Sequence, residues 1–466
     1  MLYFCKKKCK TLRFGFYAPQ LNCKKIKIRG AQNFNTMEPT SKISKNLNQS
    51  IILFSVLLLT AFTSCDKDNG GEDPQPEPGD IAVINLESDD YSALGVPVVM
   101  PNDNFAMAFS VDAWEGTSKI YCYNKSGEKV WDKELSETPD ELVYHNGQMF
   151  VACQTNLYAL NSETGVENWR YQLTGNGMLA TKNSHKPCID AGGNIIISVD
   201  SYLVDLSTSV PARIVSLSAS GSLNWEQIIS TGDNYNDRFT ELSAPLATPD
   251  GIYCVSHITT NDSYYAALKK YAVSDGRAVA SVSYDEYHGC KLHCANSNGD
   301  VFLSGNHDGN SETLFVALTS ALTEKWRVSF GDNYVANTAV IDKDGNIFIG
   351  VEDGYFRKYS PNGTELFSVN HQKIFVRGET LIAKDGNIYK CLQGAEKIDP
   401  QTGLVSDISA GQGLFETSDM SMLSDGTIVY SGMGKIYMLP TSAGGISTDA
   451  QWPSFGNDVG NSSYKN

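Results

Sequence analysis

A turn that recurs along the chain limits its possible folds more than any other feature. NGQMFVA (from Asn146), GGNIIIS (Gly192), DGIYCVS (Asp250), NGDVFLS (Asn298), DGNIFIG (Asp344), DGNIYKC (Asp385) and DGTIVYS (Asp425) each join an Asn-Gly, Asp-Gly or Gly-Gly turn to a short apolar strand. NDNFAMAF, from Asn102, is an irregular first copy, and the steps between copies run from 40 to 58 residues. Repeats of about 40–50 residues made of short strands build propeller blades. A β-solenoid would want shorter repeats and fewer long insertions.

A second marker runs in phase with the first. Gly127, Gly165 and Gly221 each lie four residues before a tryptophan, at Trp131, Trp169 and Trp225. Gly276, Gly363 and Gly403 hold the same place before Ala280, Phe367 and Asp407, whereas Leu322 replaces the glycine before Trp326. A last tryptophan, Trp452, has no glycine at that distance. Each unit reads as four strands, A to D, as in ANTAVID for A, NIFIGV for B, LYALN for C and ENWRYQL for D. The Asn/Asp-Gly pairs predict two-residue A-to-B hairpins, because the favoured turn needs positive φ at both central residues. The glycine before the tryptophan serves the C-to-D turn for the same reason, and the indole covers the seam to the next blade. The expected fold is therefore an all-β propeller of four-stranded antiparallel blades over residues 81–466. Eight blades fit, with GVPVVMP as the first strand A and AQWPSFG as the last strand D. Seven, with one irregular copy absorbed as loops, is the alternative count.

The chain ahead of residue 81 has a different character. Residues 51–64, IILFSVLLLTAFTS, are uncharged but shorter than the roughly 20 apolar residues a membrane-crossing helix needs. Lys42 and Lys45 precede them and a cysteine follows, which is the layout of a signal peptide over residues 37–64, starting at Met37. LTAFTSC resembles the lipobox of bacterial lipoproteins, which implies cleavage before Cys65 and lipidation of its thiol. Residues 1–36 are read as a leader outside the working protein. Residues 65–80, CDKDNGGEDPQPEPGD, form an acidic Pro/Gly tether too poor in apolar side chains to fold. That acidic stretch resembles the signal sending lipoproteins to the cell surface in Bacteroidetes-type bacteria, while Asp66 would imply inner-membrane retention in an enteric host. The expected address is the outer membrane, on the cell-surface or periplasmic side.

Residues 1–64 hold 11 of the 37 Lys and Arg but only one of the 53 Asp and Glu, so the remainder carries a net charge near −26. Such a surface repels nucleic acid and anionic headgroups, which excludes nucleic-acid partners. Seven cysteines lie beyond Cys65, mostly inside apolar strand-like runs where a thiol acts as a small hydrophobe. An odd number leaves at least one free thiol in a monomer, the expected state. CKLHC, Cys290 to Cys294, lacks a second ligand pair at zinc spacing and reads as strand core or a local disulfide, so no metal site is assigned.

LYALNSETGVENW and IVSLSASGSLNW resemble the pyrroloquinoline-quinone-like (PQQ-like) propeller repeat, an apolar-Tyr-Ala-Leu strand followed by Gly, three residues and Trp. WPSFGNDVGNSS resembles the Trp-Pro-x-Phe-Gly segment that forms an outer strand of the closing blade in this family. In many relatives it lies at the N-terminus, whereas here it is C-terminal. The ring is thus expected to close by packing blade 1 on blade 8, unless IAVINLE (Ile81 to Glu87) supplies an extra strand. The resemblance covers residues 81–466 and implies fold more than function.

Quinone-dependent dehydrogenases of this family carry an adjacent cysteine pair beside the cofactor, and no Cys-Cys pair occurs here. No cofactor is expected. HGCKLH falls in strand A of the fifth blade as a channel segment, and DKDGN (342–346) shares its register with AKDGN and LSDGT, so turn chemistry accounts for it. No Gly-x-Ser-x-Gly, phosphate loop or His-Glu-x-x-His occurs, and the chain is read as non-catalytic.

Strand alternation puts the short A-to-B and C-to-D turns on one face and the long connections on the other. VDAWEG, GNGMLATKNSHK, DSYLVDLSTSVPAR, STGDNYNDRFTE, HITTNDSYYA and GNHDGNSET all belong to the second face. Variable loops on a rigid scaffold are where recognition is built. Trp114, Tyr235, Arg238, Tyr264, His307 and Tyr334 are the candidate contacts, aromatics beside Asn and Asp being suited to a sugar or a peptide. The function expected is that of a lipid-anchored envelope protein binding a glycan or an envelope protein. The alternative is a scaffold in outer-membrane protein assembly, because the lipoprotein of the β-barrel assembly machinery is an eight-bladed propeller of this family.

Overall fold

The computed structural model describes residues 81–463 apart from 89–90, 113–115, 175–184, 204–208, 230–237, 261–263, 286, 308–311, 337–338, 372–378, 392–394, 410–418, 433 and 459–460. The leader, signal peptide, Cys65 and tether therefore lie outside the described residues. Within them the chain forms eight antiparallel blades in a ring. Blade 1 runs inner to outer as Ser92–Val99, Phe105–Asp112, Thr117–Tyr123 and Lys129–Leu135, and blade 2 as Pro139–His145, Gln148–Cys153, Asn156–Asn161 and Glu167–Gln172. Blade 3 starts at Cys188–Ile189, blade 4 at Arg238–Leu242, blade 5 at Tyr287–Ala295, blade 6 at Val340–Ile341, blade 7 at Thr380–Ile382 and blade 8 at Met420–Met422.

Strands B and C are buried on both faces because each blade is sandwiched between two others. They therefore read as continuous apolar runs rather than alternating ones. In blade 2, Met149 and Val151 pack toward blade 1, while Phe150 and Ala152 pack toward Ile195, Ile197 and Val215 of blade 3. Strand D has one solvated edge, and ENWRYQ alternates between half-buried and exposed accordingly. All seven cysteines beyond Cys65 are buried free thiols, so Cys290 and Cys294 are strand core and form no disulfide. Burial pushes the Cys122 and Cys254 thiols up to about 12.

Most A-to-B turns differ from the two-residue hairpins expected. His145 pairs directly with Gln148, and Asn146 and Gly147 both have positive φ (47° and 79°), as that turn requires. At Asp342, by contrast, the amide donates to Asn346 O (3.0 Å), and Gly345 N donates to Asp342 O (3.1 Å). That loop holds three residues, and only the last, Gly345, is left-handed (φ 82°). The Asp342 carboxylate accepts the amides of Asp344 and Asn346, so the aspartate stabilises the turn as a hydrogen-bond acceptor rather than by adopting positive φ.

The repeat glycines of blades 2, 3, 4 and 6 each face the tryptophan of the preceding blade, whereas Gly127 of blade 1 faces Ile84 of the strand that closes blade 8. A Cβ on Gly165 would lie 2.6 Å from the Trp131 ring, one on Gly221 2.7 Å from Trp169, one on Gly276 2.4 Å from Trp225 and one on Gly363 2.7 Å from Trp326. Each indole N–H then donates to a carbonyl in the same turn: Trp131 to Ser162 O (2.9 Å), Trp169 to Ala219 O (3.1 Å), Trp225 to Val273 O (2.9 Å) and Trp326 to Pro361 O (3.0 Å). The exceptions obey the same rule. Where blade 4 has Ala280 in place of the tryptophan, blade 5 carries Leu322 in place of the glycine, 6% exposed and in the core cluster against which Ala280 packs. The missing indole donor is replaced by Lys270, whose ammonium donates to Ser320 O at 3.1 Å. In blade 6, with Phe367, Lys358 donates likewise to Pro400 O at 2.9 Å.

Ring closure differs from the main expectation. Ala82–Asn85, inside IAVINLE, pairs antiparallel with Lys435–Leu439 and is the outer strand of blade 8. AQWPSFG is not that strand. Pro453 has no amide hydrogen and cannot continue a ladder, so the segment makes single bridges instead. It crosses the A-to-B ends of the inner strands: Trp452 exchanges both backbone hydrogen bonds with Ile341 of blade 6 (2.8 and 3.0 Å), and Ile382 N of blade 7 donates to Pro453 O (2.7 Å). Farther on, Ile189 N of blade 3 donates to Ser462 O (2.9 Å) and Ala247 N of blade 4 to Ser463 O (3.0 Å). Trp452 is 0% exposed. The C-terminal segment thus ties the inner strands together across the short-turn face.

Candidate functional site

Second strands run toward the long-loop face and third strands run back, so the sequence candidates can be placed from strand ends. Arg238 opens the inner strand of blade 4 opposite Thr260, and Tyr264 opens its third strand (Tyr264–Tyr271) opposite Thr259. They flank the end of Gly251–Thr260 on the long-loop side. His307 ends the second strand of blade 5 (Val301–His307), and its ring meets that of Tyr287 edge-on at 4.9 Å. Tyr334 lies in the connection from blade 5 to blade 6 and is 46% exposed; its carbonyl accepts the Glu352 amide at 2.9 Å. These four therefore occupy one arc, from blade 4 to the start of blade 6. Trp114 and Tyr235 lie outside the described residues.

Inside the ring the structure assembles a set of charged residues that loop reasoning passed over. They stand at or just before the inner strands, nearer the long-loop end: Asp140 and Glu141 in blade 2, Lys186 before blade 3, Lys291 in blade 5, Glu379 before blade 7 and Asp419 before blade 8. The Lys186 amide donates to the Asp140 carboxylate (2.9 Å), and its ammonium donates to Asn461 Oδ1 (2.7 Å), lies 3.8 Å from Glu141 and sits over the Phe455 ring at 4.1 Å. Burial pushes Glu141 up to about 8 and pulls Lys186 below its ordinary value. On the opposite arc Glu379 N donates to Asp419 (3.2 Å), and Lys291 lies 4.0 Å from Glu379. Desolvation, helped by Glu379, pushes Asp419 up to about 7.

Three imidazoles gather between blades 3, 4 and 5. His185 donates to Asp200 (2.9 Å), His257 donates to Cys290 O (3.0 Å), and His293 bonds Ser304 Oγ (2.8 Å) while its ring meets Phe315 edge-on. Burial holds His293 far below the usual histidine range, so it is a neutral residue within the blade. Among the described residues no group of three potential metal ligands converges. A sequence signal for these residues did exist: TPDELV, SHKPCI, GCKLHC, RGETLI and TSDMSM each place charge at or before an inner strand.

Residues 87–286 match the family model described as outer membrane protein assembly factor BamB. The matched stretch spans blades 1 to 4. The structure is similar to that of the Dos1 propeller, with TM-score 0.52 and 12% identity over 78% of this chain and 95% of that one. It also aligns with BamB from Moraxella catarrhalis (TM-score 0.43, 11% identity, 78% of this chain and 100% of that one) and with streptogramin B lyase (TM-score 0.42, 12% identity, 77% and 96%). At these identities the likeness to Dos1 is one of fold. No curated protein matches the chain. The match and the ring together support a β-propeller scaffold with a BamB-like repeat.

Proposed function

We propose that the chain is a lipid-anchored, non-catalytic scaffold of the bacterial outer envelope, held by Cys65, that recognises a glycan or an envelope protein through its long-loop face. The observation that carries this reading is the inequality of the two faces. The short-turn face is occupied by tight turns and by the C-terminal segment bonded across the inner strands, while Arg238, Tyr264, His307 and Tyr334 occupy the other face. A rigid ring with one elaborated face is how loop-based recognition is built.

The match of residues 87–286 to an outer membrane protein assembly factor supports a second reading, in which the partner is an outer-membrane barrel or its assembly machinery. Protease shaving of intact cells separates the two. Loss of the propeller from intact cells places it outside and favours the glycan or surface-protein reading. Protection in intact cells with cleavage after lysis, together with co-purification of an outer-membrane barrel, favours the assembly reading. Recovery of both the parent protein and Cys65→Ala in the soluble fraction would refute the anchor.

A further inference from the structure

The inner wall of the ring holds a cavity of about 250 Å³ between blades 3, 4 and 5. It exists because the inner strand of blade 4 is broken. Arg238–Leu242 and Leu246–Thr248 both pair with Gly251–Thr260, but the register shifts between them: Ser243 N still donates to Val255 O (2.9 Å), and Ala244 and Pro245 bulge out of the ladder. The C-terminal segment supplies the floor with Trp452, Phe455 and Ser463. His185, Lys186, His257, Lys291 and His293 contribute to the walls, and none of the 15 lining residues is acidic.

That composition is opposite to the rest of the molecule. Beyond residue 64 the chain has twice as many acidic as basic residues, yet three of its seven histidines and two lysines meet at this one cavity. Lys186 is 3% exposed and already engaged by Asn461 and Phe455. Lys291 is different: its side chain is 44% exposed and its nearest carboxylate, Glu379, is 4.0 Å away. Leu292 and Phe455 add apolar surface beside it. A cation next to apolar surface in a recess of this size matches a small organic acid better than a bare inorganic anion.

We propose that this chamber binds a small carboxylate-bearing ligand of about single-sugar size, with the Lys291 ammonium as its countercharge and the C-terminal segment as its floor. The site is distinct from the loop-face contacts, and the proposal stands or falls separately from that reading.

Titration calorimetry of the purified full-length protein with D-glucuronate, D-glucose and inorganic phosphate tests it. The expected result is binding of D-glucuronate at least about tenfold tighter than D-glucose or phosphate. Lys291→Ala should weaken glucuronate binding about tenfold or more, Lys291→Arg should retain it within about threefold, and Lys125→Ala, a lysine on a distant turn, should leave it unchanged. Ala244→Trp, which puts an indole on the cavity wall, should abolish binding in a protein that melts like the parent. Absence of glucuronate binding, equal binding of glucuronate and glucose, equal or tighter binding of phosphate, or unaltered affinity in Lys291→Ala or in a folded Ala244→Trp would each overturn the proposal.

Discussion

The two faces of the ring are built from the same strands and differ in how those strands end. On the short-turn face, nearly every turn is closed by a left-handed residue, a neighbouring tryptophan or lysine donates into the C-to-D turns, and Trp452 and its neighbours bridge the inner strands. On the long-loop face the connections vary in length and carry exposed aromatic side chains such as Tyr334. One face uses side chains to hold blades together, and the other carries the exposed Tyr334. Stability and recognition are therefore expected to separate by face, so substitutions on one should affect melting and on the other binding.

The largest expected effect comes from ending the chain after Gly445. That removes a fully buried tryptophan, its two backbone bonds to Ile341, and the ties to Ile189, Ile382 and Ala247. A loss of more than about 5 kcal/mol, measured by urea denaturation, is expected, since a buried Trp→Ala change alone costs about 3–5 kcal/mol. Melting unchanged by the truncation would mean that the segment rests on the ring without joining it.

The seams come next. Gly165→Ala places a Cβ 2.6 Å from Trp131 at a φ of 69° and should cost about 2–4 kcal/mol. The swapped seam offers a sharper test. Ala280→Trp alone should be destabilising against Leu322, whereas Ala280→Trp with Leu322→Gly recreates the standard pairing, so the double-mutant cycle should show coupling of at least about 1 kcal/mol. Additive effects would contradict the assignment of glycine and tryptophan to one joint.

A smaller effect is expected from the channel carboxylates. Asp419 has its folded value raised to about 7, so the folded state binds the extra proton, and stability should fall as pH rises from about 4 to about 7. Asp419→Asn should flatten that decline, by on the order of 2 kcal/mol across the window, as read from denaturation midpoints. The smallest stability effect belongs to the long-loop face: Tyr334→Ala should change stability by less than about 0.5 kcal/mol while weakening partner capture.

The blades were legible because their signals are local. An Asp-Gly turn followed by an apolar strand reports on its neighbours in sequence, and the eight-bladed count rested on such signals. The seam was half legible. Gly165 and Trp169 lie four residues apart in the sequence, but the contact joins Gly165 to Trp131, a residue of the blade before. Closure is half legible too: IAVINLE is open as an extra strand, but AQWPSFG competes for the same place. AQWPSFG resembles the family's closing-blade strand, while the strand that closes the ring, Ala82–Asn85, pairs with residues some 350 positions away and carries no repeat marker. The channel charges were visible singly as polar residues before inner strands, but only the closed ring sets Lys291 beside Glu379 or Lys186 beside Asn461.

The central claim, that recognition belongs to the long-loop face, is tested most directly by photo-crosslinking in intact cells. A photoreactive aromatic residue would be placed either at Tyr334 or at Lys343, which is 67% exposed on the short-turn face. The account predicts a discrete crosslinked product from position 334 and none from position 343. A product from position 343 alone would assign recognition to the face that the C-terminal segment covers, and would contradict it.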